Sequence, residues 1–294
     1  MRFLLAVLLS VALGVASAQA TQNDEITPDI VEIKVPHAGS LGGDVGMVTE
    51  VFKPEGTGPF PVVLYSHGRA GTDVERRQMK TPVLRGHVRY WLRKGFAVVA
   101  PIRPGYGATG GPDRELSGAR YDTFGNCTGR PDFAQAARNA AAASTAALDW
   151  IRAQSWAKAD RMLLVGTSMG GLTTVATAAT NPPGVVGYIN FAGGAGGDPA
   201  RAPGKSCGPD VMAALMRDLG KAAHVPGLWL YAENDQYWGA EAPRTWHAAY
   251  AESGGKVEFV QTAPVPNADG HLLLARGGRL WSVHTDRFVK ELGL

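Results

Sequence analysis

The sequence predicts an α/β fold, a mostly parallel twisted sheet with helices on both faces, and three observations carry that expectation. Strand-like apolar runs recur from residue 30 onward with helical stretches between them. No internal repeat or low-complexity linker divides the chain, and 45% hydrophobic content is ample for a buried core. Finally, the apolar run Met162-Leu163-Leu164-Val165 passes directly into Gly166-Thr167-Ser168-Met169-Gly170-Gly171, a glycine-flanked turn from strand to helix.

In chain order, Ile30 to Val35 and Gly46 to Phe52 read as an antiparallel opening pair. Val62-Val63-Leu64-Tyr65 reads as a buried strand ending at Ser66-His67-Gly68, Gly86 to Lys94 as a helix and Phe96 to Ala100 as the next strand. Asp132 to Gln154 is a long alanine-rich helix that runs into the strand before Ser168, and Thr173 to Ala179 reads as the helix behind it. Val185 to Phe191, Gly227 to Ala232 and Val257 to Val260 supply three more strands, with a helix beginning near Ala242. Trp281 to Glu291 closes the chain as an amphipathic helix. Two excursions, near 105–130 and 193–210, are rich in Gly, Pro and Arg. Each follows a strand, so each belongs at the carboxyl edge of the sheet, where open α/β sheets bind ligands.

Met1-Arg2, the apolar stretch Phe3 to Val15 and the small residues Ala16-Ser17-Ala18-Gln19-Ala20 have the layout of a secretory signal peptide, cut after Ala18 or Ala20. The stretch is shorter than the ~20 residues that span a bilayer, so stable membrane insertion is not expected. Residues 21–294 are expected to form a single domain in the periplasm or outside the cell. In that setting Cys127 and Cys207 are expected to be bridged. Neither cysteine has zinc-like spacing, and no metal or other cofactor is expected. With 29 basic and 26 acidic residues there is no basic block to suggest a nucleic-acid partner, and nothing in the sequence fixes an oligomeric state.

A serine hydroxyl needs a histidine to take its proton and a carboxylate to hold that histidine. Leu228 to Ala232 leads into Glu233-Asn234-Asp235, which puts Asp235 at a strand end on the same edge as Ser168, and Asp269-Gly270-His271 follows the last strand. Ser168, Asp235 and His271 therefore form the expected triad in nucleophile–acid–base order. Glu233 falls on the wrong face of its strand end, and Asp269 is too close to His271 in sequence to reach round it. The N–H of Met169 and that of Arg69 are the expected oxyanion donors, with His67 bracing the loop that carries Arg69. His87, His224, His247 and His284 read as structural. Tyr106, Tyr237, Trp238, Arg130 and Arg201 are placed to line a cleft, with Tyr106, Tyr237 and Trp238 the expected substrate contacts.

Five ordered segments resemble the α/β-hydrolase superfamily, on its dienelactone-hydrolase-like esterase branch: Ser66 to Gly71, Arg103 to Gly107, Gly166 to Gly171, Glu233 to Asp235 and Asp269 to His271. The resemblance spans about residues 30 to 294. It implies the α/β-hydrolase fold, a Ser168–Asp235–His271 triad and a small-molecule ester substrate. Dienelactone hydrolases proper carry cysteine where this chain has Ser168, so lactone specificity does not carry over. Two alternatives stand beside esterase: a serine exopeptidase of the prolyl-peptidase type, and a non-catalytic binding protein on the same fold.

Overall fold

The computed structural model describes residues 26–294, so the signal-peptide reading of residues 1–20 lies outside the described residues. Eight strands form one sheet: β1 (Asp29–Val35), β2 (Val45–Phe52), β3 (Phe60–Ser66), β4 (Ala97–Pro101), β5 (Ala157–Thr167), β6 (Val185–Phe191), β7 (Gly227–Ala232) and β8 (Val257–Thr262). Their order across the sheet is β1-β2-β4-β3-β5-β6-β7-β8. β2 pairs antiparallel with both β1 and β4, while β4, β3, β5, β6, β7 and β8 are paired in parallel. Only β2 runs against the rest, and the mostly parallel expectation holds.

Parallel strands need crossovers, and the crossovers cover both faces. The helices are α1 (Asp73–Arg77), α2 (Arg85–Leu92), α3 (Phe133–Arg152), α4 (Met169–Ala178), α5 (Pro209–Ala222), α6 (Glu241–Glu252), α7 (Leu273–Arg276) and α8 (Gly278–Glu291). Alternate strand residues divide between two cores. Val62, Leu64, Met162 and Leu164 face α3, α4, α5 and α6, while Val63, Tyr65, Leu163 and Val165 face α2, α7 and α8. Alanines at 136, 140, 143 and 147 give α3 a smooth buried stripe that faces β5 and α4. Its start is fixed by Asp132, whose side chain accepts from the N–H of Gln135.

α4, α8 and α5 depart from the sequence expectation. α4 starts at Met169 rather than Thr173, because the turn at Ser168 delivers the chain straight into helical geometry. α8 starts at Gly278, before Trp281. α5, absent from the expectation, begins with Pro209 at its first turn, where the missing proline N–H costs no helical hydrogen bond.

His87 belongs to α2 and is buried in the second core, with Tyr65, Tyr90, Trp91, Phe191 and Trp281 around its ring. The Trp91 indole N–H donates to its Nε2 at 2.9 Å, so the hydrogen sits on Nδ1, which has no partner among the described residues. Burial pushes the His87 pKa down to about 3. The unfolded chain takes up this proton near pH 6.5 and the folded chain only near pH 3. The stabilisation is therefore complete above pH 6.5 and is lost as pH falls. By pH 5 the loss is about 2 kcal/mol. His87→Gln keeps an acceptor for Trp91 and removes the titration. Urea unfolding at pH 7 and pH 5 should show a stability loss smaller by about 2 kcal/mol in the variant than in the parent; equal losses would refute this account of His87.

Candidate active site

β5 ends at Thr167 and α4 begins at Met169, so Ser168 alone makes the turn between them, at φ 57° and ψ −125°. A non-glycine residue there costs of order 1–3 kcal/mol, held in place by surrounding structure. Its N–H donates to Phe191 O at 2.9 Å, and its carbonyl accepts from Leu172 N at 3.1 Å and Gly194 N at 3.2 Å. The flanking glycines are required by close approach. A Cβ on Gly170 would stand 2.0 Å from Ser66 O, and one on Gly166 would stand 2.1 Å from Gly170 O. As the first residue of α4, Met169 has an N–H with no intrahelical acceptor.

Asp235 follows β7 and its side chain is fully buried. Its Oδ1 accepts from the N–H groups of Tyr237 (2.7 Å) and Trp238 (3.1 Å), and its Oδ2 lies 3.1 Å from His271 Nδ1. His271 sits in a 3-10 turn, Gly270–Leu272, between β8 and α7. Asp269 does not bind the imidazole: its Oδ1 accepts from the backbone N–H groups of His271 and Gln236, both at 2.9 Å, and so ties this turn to the Asp235 loop. Asn234 adds a second tie, accepting from Val265 N and donating to Ala268 O. Glu233 is exposed. The Tyr237 ring stacks on His271 with centroids 3.9 Å apart, and Trp238 meets it roughly edge-on at 5.3 Å.

The Ser66–Gly71 loop lies against the serine, since a Cβ on Gly68 would come 3.2 Å from Ser168 Cβ. His67 braces this loop. The Arg103 N–H donates to its Nε2 at 3.1 Å, which leaves the hydrogen on Nδ1 to donate to Gly68 O at 2.7 Å. Burial, then the Arg103 charge, hold His67 well below the ordinary histidine range. Arg103 is buried, donates to His67 O at 2.7 Å and pairs with the buried Glu115 through two bonds of 2.5 and 3.0 Å. The Arg69 guanidinium is held bidentate by Asp113.

Sequence reasoning passed over Asp113 and Glu115, which belong to no motif. Their only signal is two carboxylates in a segment otherwise rich in arginine and glycine. Tyr106 requires a correction: it is 1% exposed and donates to Glu115 Oε2 at 2.7 Å, packed edge-on to His67. It supports the loop from beneath and does not line the cleft.

Ser168, Met169, Arg69, Tyr237 and Trp238 all line one cleft of about 520 Å³. Its outer wall is built from the two excursions, with Ser117, Arg120 and Tyr121 from the first and Gly194 to Asp198 and Arg201 from the second. Cys127 and Cys207 are disulfide-bonded, Cα to Cα 5.0 Å, and the Tyr121 hydroxyl reaches Gly196 O at 2.8 Å and Lys205 O at 3.0 Å. Arg201 pairs with Asp198 at 2.7 Å, whereas Arg130 is exposed and outside the cleft lining. Among the described residues, no cluster of three or more His, Cys, Asp or Glu is placed to hold a metal ion.

The sheet order, the strained serine between strand and helix, and the Asp–His pair beyond the carboxyl ends of β7 and β8 define a hydrolase architecture. The chain belongs to the α/β hydrolase family, whose family model matches residues 65–293. Among solved structures it is similar to an esterase from Pyrococcus furiosus, with 11% identity, 92% of each chain covered and a TM-score of 0.58. An acetyl xylan esterase from Paenibacillus sp. R4 gives 17% identity, 92% and 86% coverage and a TM-score of 0.58. The dipeptidyl peptidase 4 of Porphyromonas gingivalis gives 14% identity and a TM-score of 0.59, covering 90% of this chain but 35% of that one. None of the curated proteins compared with the chain matches it.

The disulfide and Tyr121 join two segments that have little regular structure of their own. Reduction should therefore release the wall before the sheet. With reductant, limited proteolysis is expected to cut within 112–130 at least tenfold faster while far-ultraviolet circular dichroism stays unchanged. An unchanged cleavage rate would show that the bond does not hold the wall.

Proposed function

We propose that the protein is a serine hydrolase that cleaves carboxylic esters of small molecules through an acyl-enzyme. The observation that carries this is a serine at positive φ on the strand-to-helix turn, sharing a cleft with two rings that pack on a carboxylate-bound histidine. Ser168 Oγ attacks the ester carbonyl and passes its proton to His271 Nε2. Asp235 holds Nδ1–H and stabilises the imidazolium that forms. The N–H groups of Met169 and Arg69 take the oxyanion, each worth about 3 kcal/mol in the transition state. Collapse returns the proton from His271 to the leaving alcohol. Water then attacks the acyl-serine by the same route and releases the acid.

Residues 21–294 act as one domain in this reading, and the protein works outside the cytoplasm. The Cys127–Cys207 bond supports an oxidising compartment. A protein exported and cut as proposed should begin at Gln19 or Thr21 when its secreted form is sequenced from the N-terminus; a mature protein retaining Met1 would rule out cleavage.

Fluorophosphonate should label Ser168, and Ser168→Ala should lose at least 10³-fold in kcat on short acyl and aryl esters. Asp235→Asn should keep the fold and lose a similar factor, since the amide supports the wrong imidazole tautomer. Full activity in Ser168→Ala would overturn the assignment. Preference for aminoacyl-proline amides over esters would favour an exopeptidase, and an unlabelled folded protein a non-catalytic binder.

A further inference from the structure

We propose that Tyr237 is a positioning residue for His271, fixing the plane of the imidazole and stabilising its protonated form, rather than primarily a substrate contact. The inference rests on the reading of Ser168, Asp235 and His271 given above. Its first support is geometric. The two rings are stacked at 3.9 Å with 25° between their planes, closer than any other ring contact of His271. Trp238 meets the imidazole at 74° and is itself locked by its indole N–H on Ala192 O at 2.8 Å. With Nδ1 held by Asp235, the imidazole is constrained by contacts on three sides, and Nε2 is the nitrogen not committed to Asp235.

The same two residues also hold the carboxylate. The backbone N–H groups of Tyr237 and Trp238 both donate to Asp235 Oδ1. One dipeptide thus fixes the acid through its main chain and the base through its side chains. A shift of this turn would move both members of the pair together, which keeps the Asp235–His271 bond intact.

The chemistry of the step gives the stacked ring a second effect. During attack the imidazole gains a proton, and a cation against an aromatic face is attracted by the ring quadrupole. The phenol remains a neutral ring in this role, because burial, then the Asp269 and Asp235 carboxylates, push its pKa up. Among the described residues the Tyr237 hydroxyl has no hydrogen-bond partner, so the ring and not the hydroxyl carries the proposed effect. Tyr237 also lines the cleft, but with its face against His271 it offers a substrate less than a free ring would.

The test compares Tyr237→Phe, Tyr237→Leu and Tyr237→Met with the parent protein, measuring the pH profile of kcat/KM on a short aryl ester and the rate of fluorophosphonate labelling against pH. Tyr237→Phe should match the parent in both. The Leu and Met variants should shift the acid limb of both profiles down by about half a unit to one unit, as expected for a lost cation–π contact. Their kcat should fall about tenfold with KM changed less than twofold. Met fills the space of a ring flexibly, so it keeps the test alive should the Leu variant fail to fold. Unmoved acid limbs in a folded Leu or Met variant would overturn the inference, as would a raised KM with unchanged kcat. Failure of the parent protein to label at Ser168 would instead refute the nucleophile reading and remove the basis for this one.

Discussion

The geometry of this protein turns on one backbone conformation. Ser168 occupies positive φ without the freedom of glycine, and the chain can hold it there only because the turn is wedged from several directions. Gly170 lies against the carbonyls of Ser66 and His67, Gly166 lies under Gly170, and the Ser168 N–H is tied to the end of β6. The close contact with Ser66 and His67 brings the carboxyl ends of β3 and β5 together. It also sets the Ser66–Gly71 loop beside the serine. A larger residue at Gly170 would push α4 away from the carbonyls of Ser66 and His67, whereas one at Gly166 would press β5 against α4.

Around this wedge the polar groups are arranged in nested layers. His67, neutral and bonded through both nitrogens, holds the loop from inside. Arg103 and Glu115 form a buried ion pair behind it, with Tyr106 satisfying a further carboxylate lone pair. Breaking one partner of such a pair strands a charge and is strongly destabilising, whereas the intact pair is roughly neutral for stability. Its contribution here is to placement. Arg103 reaches the loop carbonyl while Glu115 belongs to the cleft wall, so one pair links the floor of the cleft to its side.

The sequence makes the strands, the serine turn and the order of serine, acid and histidine legible, because each imposes a local demand on residue type. Glycines must flank Ser168, apolar runs must fill strands buried on both faces, and Asp235 must follow its strand directly. The supporting layers are not legible in the same way. Asp113 and Glu115 acquire meaning only when the 105–130 excursion folds back against the loop after β3, and Tyr106 changes from cleft residue to buried support for the same reason. Helix α5 was hidden by the glycine-rich segment before it, although Pro209 is a valid helix start. Tyr237 was legible as an aromatic near the site, but its partner, 34 positions away in His271, was not.

The two ends of the disulfide stand in unlike surroundings: Cys127 is exposed, whereas Cys207 is fully buried just before α5. Attack by a small thiolate from solution is therefore favoured at the Cys127 sulfur, with Cys207 as the leaving group. That thiolate would emerge buried beside the Arg120 carbonyl oxygen, in surroundings that disfavour its charge. The mixed disulfide would form on the exposed segment that carries Cys127, with the buried sulfur poised to displace it and close the bond again. The cross-link is thus asymmetric in kinetics, opened more readily from its outer side and resealed from within.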